Sequence, residues 1–505
     1  MNRNRHQVRT FSAVIALTLL TLVCILTAAA VPAQAQTFNV VYVFGQVDPD
    51  DSVPEGQLAL GRDGNFYGTD LGQGGSFARI YQITPSGVET TLWVAPPPSS
   101  GDGQTVCNTG LTLGSDGLLY GTCQTYTSSL NTNNGIVFKF DPSLGQSGFT
   151  VLFSFPVQAS GGTVFPSTLV QGTDGNFYGT TLMGFTTNLY GTVFKISPTG
   201  TFKTLHVFDK TLATDGAIPS GLIQGTDGNF YGTSQQGGGA GNPGTVFKIS
   251  SSGTFKLVHV FDSTGVLGED PWAGLTLGSD NNFYGSTVSF GSNGQGVLFK
   301  LTGAGKYTVL HNFNYTADIA DSPVLPLTLG TDGNFYAADN SCFNGGCHQS
   351  SLFKITAKGV YSNLFNGFCL NNCTSGTQPN GANPSSPLLL DTSGTFYGVA
   401  ALGGVDSHGN SVDRGVFYSE NTGLAPFVRL HFNTGKVGTS VGIYGRGLSG
   451  TSGVSFNGNT ASFTVVSDTY ITATIPAAAS GTTGFVTVAT PSGTLKSIVK
   501  FKAKP

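Results

Sequence analysis

One phrase, GTDGNFYGT in its cleanest copies, returns seven times along the 505-residue chain and places a tyrosine at Tyr67, Tyr120, Tyr178, Tyr231, Tyr284, Tyr336 and Tyr397. Successive copies lie 53, 58, 53, 53, 52 and 61 residues apart. A period of about 50 residues built from short β-type segments is the mark of a propeller, whose repeats are single sheets that bury their faces only against one another. The fourth repeat shows the parts. Residues 221–224 lead through the turn Gly225-Thr226-Asp227-Gly228 into 229–233, residues 244–249 alternate β-branched and aromatic side chains, 250–253 turn the chain, and 255–261 follow. The Asp-Gly pair signals a hairpin, because glycine accepts positive φ and aspartate bonds its own backbone. These four strands, a to d, recur in every repeat. They predict an all-β fold, a seven-bladed β-propeller of four-stranded antiparallel blades.

Residues 38–44, FNVVYVF, look like a d strand without its own a, b and c. Such an orphan invites closure of the ring on the last repeat, residues 388–418, which removes exposed sheet edges. Residues 427–432, FVRLHF, compete for the same slot, and the sequence leaves the choice open. The a–b and c–d turns are short and uniform, whereas the b–c and d–a connections vary in every repeat. In an antiparallel blade both variable classes emerge on one face, and variation on a rigid scaffold is where recognition sits.

The phrase L-x-x-G-T-D-G-N-F-Y-G-T, followed by G-T-V-F-K-I and L-H-V-F, resembles the GloVer tandem repeat over residues 38–432. That resemblance implies an exported, surface-associated protein of unassigned biochemical role. The first copy departs at Gly61-Arg62-Asp63-Gly64 and the seventh at Asp391-Thr392-Ser393-Gly394, as expected of imperfect end blades. From Gly435 the period stops, and short strands near 441–445, 454–458, 471–476 and 484–488 resemble an Ig-like IPT/TIG domain, a β-sandwich spacer or interaction module. The expected organisation is a signal peptide at 1–35, the propeller at 36–433 and the Ig-like domain at 434–505.

The signal peptide is read from Arg3, Arg5 and Arg9 before an apolar run at 11–31 and the small-x-small site Ala33-Gln34-Ala35; the alternative is an uncleaved anchor. Removing residues 1–35 takes three Arg and no acid from 23 basic and 27 acidic residues, leaving a net charge of −7. That balance argues against nucleic acid or anionic membrane as a partner, and no later run is long enough to span a bilayer. Six cysteines then remain. In an exported chain an even number favours disulfides. Cys107 and Cys123 flank one hairpin turn almost symmetrically and form a candidate pair. Cys342, Cys347, Cys369 and Cys373 allow three connectivities. Their C-x4-C and C-x3-C spacing is loose for zinc, so no metal is expected there, and no cofactor elsewhere.

The repeated Asp63, Asp116, Asp174, Asp227, Asp280 and Asp332 share one turn position and read as turn makers. His206, His259, His311 and His431 share a d-strand position and read as architecture. Binding groups should instead break the period. Those residues are Glu269, Asp270 and Trp272 in one d–a loop, Asp318 and Asp321 in the next, and Asp406 with His408 in the last b–c loop. An aromatic ring beside carboxylates suits a sugar. No nucleophile elbow, zinc-protease helix, Walker loop or dinucleotide fingerprint occurs, so no catalytic residue is assigned. The sequence therefore favours a secreted or cell-surface binding module whose partner is an extracellular glycan or surface protein. A glycan-active hydrolase or lyase on the same face, or a purely structural envelope protein, are the alternatives.

Overall fold

The structure, a computed structural model, describes residues 36–505 apart from loop stretches at 46–52, 72–77, 97–104, 128–131, 157–163, 184–189, 210, 212–213, 262–263, 315–317, 319–323, 340–349, 369–378, 406–407 and 409–413. The proposed signal peptide and the cysteines at 342, 347, 369 and 373 lie outside the described residues. Seven antiparallel sheets follow one another along the chain, and each period of the repeat supplies one. In the fourth the strands are Gly216–Gln224, Phe230–Gly237, Thr245–Ile249 and Phe255–Val260, hydrogen-bonded in that order.

The Phe-Tyr pair of the repeat explains how sheets become a ring. Adjacent residues of a strand face opposite ways, so a blade offers a Tyr to one neighbour and a Phe, or in the second blade Leu119, to the other. Tyr178 stacks on Phe230 at 3.8 Å, Tyr231 on Phe283 at 4.1 Å and Tyr284 on Phe335 at 4.2 Å. The series ends with Tyr397 of the seventh blade on Phe66 of the first, at 4.4 Å. An outer series runs parallel to it. The d-strand residues Trp93, Phe153, His206 and His259 stack on Phe149, Phe202, Phe255 and Tyr307 of the next blade. His311 faces Tyr361 in the same way at 5.9 Å, so three of the four histidines are aromatic pegs between blades, the architectural role the sequence suggested.

The turn aspartates are equally structural. Asp227 accepts the Asn229 amide at 3.1 Å and the Tyr231 hydroxyl at 2.9 Å, and Gly228 supplies a φ of 91°. In other blades a lysine of strand c joins, with Lys195 and Lys300 each 2.7 Å from Asp174 and Asp280. Burial and the neighbouring carboxylate push the Tyr231 hydroxyl well above its ordinary range, so it remains a donor. Cys107 and Cys123 are joined by a disulfide, both buried in the second blade.

Ring closure falls to the orphan strand. Thr37–Val43 pairs antiparallel with Val416–Asn421 and completes the last blade, and Phe38 stacks on Phe365 at 3.8 Å. The competing segment goes elsewhere: Arg429–Leu430 pairs with Ser440–Tyr444 in the C-terminal sandwich. That unit packs the sheet of Arg429–Leu430, Ser440–Tyr444, Tyr470–Thr474 and Phe463–Ser467 against one containing Gly453–Phe456 and Val486–Thr490. Val428, Ile443, Phe456, Ile471, Val488 and Phe501 form its core.

Candidate functional site: a central channel and its floor

The inner strands of all seven blades surround a cavity of about 970 Å³. Each contributes the first leucine of its L-x-x-G phrase, from Leu58 and Leu111 onward, or in the seventh blade the equivalent Leu388 three residues before Asp391. The hydroxyls of Thr112, Thr276 and Thr328 donate to the carbonyls of Leu169, Leu327 and Leu388 on the next inner strand, which stitches the wall. Hydroxyls, glutamines, prolines and leucines dominate the lining, and among its described residues there is no Asp, Glu or Lys.

The sandwich closes one end, on the face of the a–b turns. His431 lies between Gln171 Oε1, 2.7 Å from Nε2, and the Tyr444 hydroxyl, 2.9 Å from Nδ1. The amide oxygen can only accept, so Nε2–H donates and Nδ1 accepts from tyrosine. Burial first, then the charges of Arg62 and Arg429, push His431 down to about 4. It is therefore a neutral latch and not a fourth d-strand peg, a correction to its grouping with His206, His259 and His311. Arg62 stands 4.6 Å over the Tyr470 ring and donates to the Ser115 carbonyl, while Thr469 donates to the Arg62 carbonyl. Arg446 reaches buried Asp391 at 3.1 Å, and the Phe427 amide donates to the Thr392 carbonyl. Both departures from the repeat phrase are thus docking contacts. The first and seventh blades are complete, with four strands or more, so they are not imperfect blades.

At the other end, Trp272 lines the cavity with its side chain 40% exposed. Its amide donates to the Asp270 carbonyl at 2.9 Å, so the two are held in one turn. Glu269 exchanges backbone hydrogen bonds with Ser289 beside them. Asp270 has a φ of 55°, and burial raises its carboxyl above the usual range. The positive φ recurs at Val53, Ile218 and Asn383, each, like Asp270, immediately before a proline on the approach to or within an inner strand. It therefore belongs to the blade architecture.

Asp318 is drawn away from this group. It is buried, 2.6 Å from His311 Nε2 and 2.9 Å from the Asn314 amide, which ties it to the outermost strand of its blade. His206 and Asp215 repeat that clamp at 3.0 Å. His408 occupies an exposed turn, and Asp321 and Asp406 lie outside the described residues. The structure thus brings together Glu269, Asp270 and Trp272 and separates them from Asp318. Sequence reasoning missed the floor residues Gln171, Arg429, His431 and Tyr444. Its one available signal was the pair of broken repeat phrases at Arg62 and Asp391.

Residues 165–412 match the Gloeobacter/Verrucomicrobia repeat family, and residues 426–503 match the IPT/TIG domain. No curated protein matches the chain in sequence. Among solved structures, a prolyl endopeptidase is 14% identical over 79% of this chain, with a TM-score of 0.42, and the chain spans 55% of its length. PorZ, a surface component of the type-IX secretion system of Porphyromonas gingivalis, is 13% identical over 89% of this chain and 70% of its own, with a TM-score of 0.37. The β-propeller domain of the Trilobed protease from Pyrococcus furiosus is 9% identical over 61% of this chain and 80% of its own, with a TM-score of 0.34.

Proposed function

For a chain that carries Gloeobacter/Verrucomicrobia repeats and a C-terminal IPT/TIG domain, we propose an exported interaction module at the cell surface, which binds glycans on the variable-loop face at the mouth of the central channel. The observation that carries this reading is Trp272, a large ring left exposed on the cavity wall beside Asp270 and Glu269. Such a ring offers a flat apolar face to a sugar, while neighbouring carboxylates and amides take its hydroxyls. Closure of the opposite end by the sandwich directs any ligand to this mouth. Glycan-array binding of the protein lacking residues 1–35, repeated with Trp272→Ala, tests the proposal. Loss of about tenfold or more in affinity is expected for removal of a central aromatic contact. Unchanged binding by the variant would refute the site, and an empty array would refute the glycan reading.

A second reading is a hydrolase or lyase on the same face. It draws on the Asp270 carboxyl, which burial raises in the direction a general acid needs. Turnover of the bound polysaccharide, abolished in Asp270→Asn or His408→Ala, would favour it. Binding without turnover would favour the module.

A further inference from the structure

The floor of the channel holds a cation without a counter-charge. Leu430 is buried in the sandwich core, which turns its strand neighbour Arg429 the other way, into the cavity. The Arg429 side chain stays exposed although protein surrounds it, as happens to a group standing in an internal channel. Among the described residues its guanidinium makes no ion pair and no hydrogen bond. The groups that sense its charge are Tyr444, directly opposite in the sheet, and His431, and neither is an anion at neutral pH. Desolvation draws its pKa downward, but an arginine remains protonated.

A hydrated guanidinium with no counter-charge between the low-dielectric walls of a channel attracts an anion more strongly than one on the open surface does. One arginine fork matches one carboxylate, two parallel N–H donors to two oxygens. A phosphate monoester carries close to two charges and calls for more than one cation. The remaining walls are neutral, with hydroxyls and leucine side chains suited to the body of a sugar. We propose that the channel is an acidic-sugar site, in which Arg429 clasps the carboxylate of a uronic acid residue and the inner strands line the rest of a short oligosaccharide. The cavity of about 970 Å³ lies within the size range of such ligand sites. This assignment rests on the glycan reading of the variable-loop face and specifies the charge of the ligand.

The test uses the full chain without residues 1–35, a galacturonic acid disaccharide and its neutral galactose counterpart, each titrated calorimetrically into the parent and into Arg429→Gln. The acidic disaccharide should bind the parent about tenfold or more tightly than the neutral one, as a charge-assisted pair implies. Arg429→Gln should erase that preference and keep the neutral affinity. In the parent, the bound carboxylate should also raise the His431 pKa, read by NMR of its imidazole, because it screens the charge of Arg429. Equal binding of both sugars to the parent would overturn the assignment and leave the glycan reading standing. Binding of neither would overturn both. Removing an unpaired cation should leave the melting temperature unchanged or higher, so a clear drop in Arg429→Gln would show a structural role and also overturn the proposal.

Discussion

Glu420 is the residue that least fits its surroundings. It occupies the strand position where other blades place Ile196, Ile249 or Ile355, it is buried, and neither carboxylate oxygen has a hydrogen-bond partner. Burial raises its pKa to about 7 from an ordinary carboxylate value of 4.5. The folded state therefore holds the proton more tightly than the unfolded chain does, and stability falls as pH rises from about 4.5 to 7. Glu420→Gln should remove that slope and raise stability at pH 8 by about 1–3 kcal/mol, with little change at pH 4, in urea melts at the two pH values. The opposite outcome, a variant weaker at pH 8, would mean that the carboxylate is paired. At this scale the sequence was legible where a residue repeats. The turn aspartates, found in six of the seven blades, and the d-strand histidines of three successive blades are structural because each recurs at one position of the period, whereas Glu420 is silent in the sequence, since only strand register reveals that it replaces isoleucine.

The smallest independent unit of this protein is the interface between two blades. The Phe-Tyr pair fills one such interface from each side, so truncating either member acts on two blades at once. Phe335→Ala should cost about 3–5 kcal/mol by opening the contact with Tyr284. Tyr284→Phe keeps the ring and loses the 3.0 Å bond to Asp280, for about 1–2 kcal/mol. Thermal melts of the two variants check the order, and equal losses would contradict it. Blade number and strand order could be counted from the period, because a repeat fixes both. The closing strand could not, since residues 38–44 and 427–432 share the same alternation. What separates them is pairing: Val416–Asn421 accepts the former along its length, and the latter is drawn into the sandwich by Val428 and Leu430. A chain beginning after Val43 should expose the edge of Val416–Asn421 and associate, which size-exclusion chromatography would register; a monomeric product would argue against that closure.

Across the whole molecule, His431 and Glu420 oppose each other. The His431 value of about 4 lies below its ordinary 6.5, so the stability it contributes is present above pH 6.5 and is lost as pH falls toward 4. Glu420 has the reverse slope over nearly the same interval. Glu55, which burial likewise raises to about 7, has the same sign as Glu420, so the parent should lose stability as pH rises between about 4.5 and 6.5. Glu420→Gln should flatten that profile, and His431→Gln should steepen its rise toward acid, in melts scanned over pH; matching profiles for the two variants would contradict the assignment. The floor was legible only as two broken repeat phrases, at Arg62 and Asp391, because its parts, with Gln171 and the strand at 429–430, come from distant residues that form no local motif. The same floor governs how the protein bears load. The first and last blades meet at one seam, where Tyr397 lies on Phe66 and the Ser385 hydroxyl donates to the Pro54 carbonyl at 2.7 Å. The sandwich grips both sides of it, through Arg62 and Asp391. A pull on the C-terminus is therefore borne first as shear at those contacts, and the ring unravels only after the sandwich has been torn away, so stretching a single molecule should give two separate rips in that order.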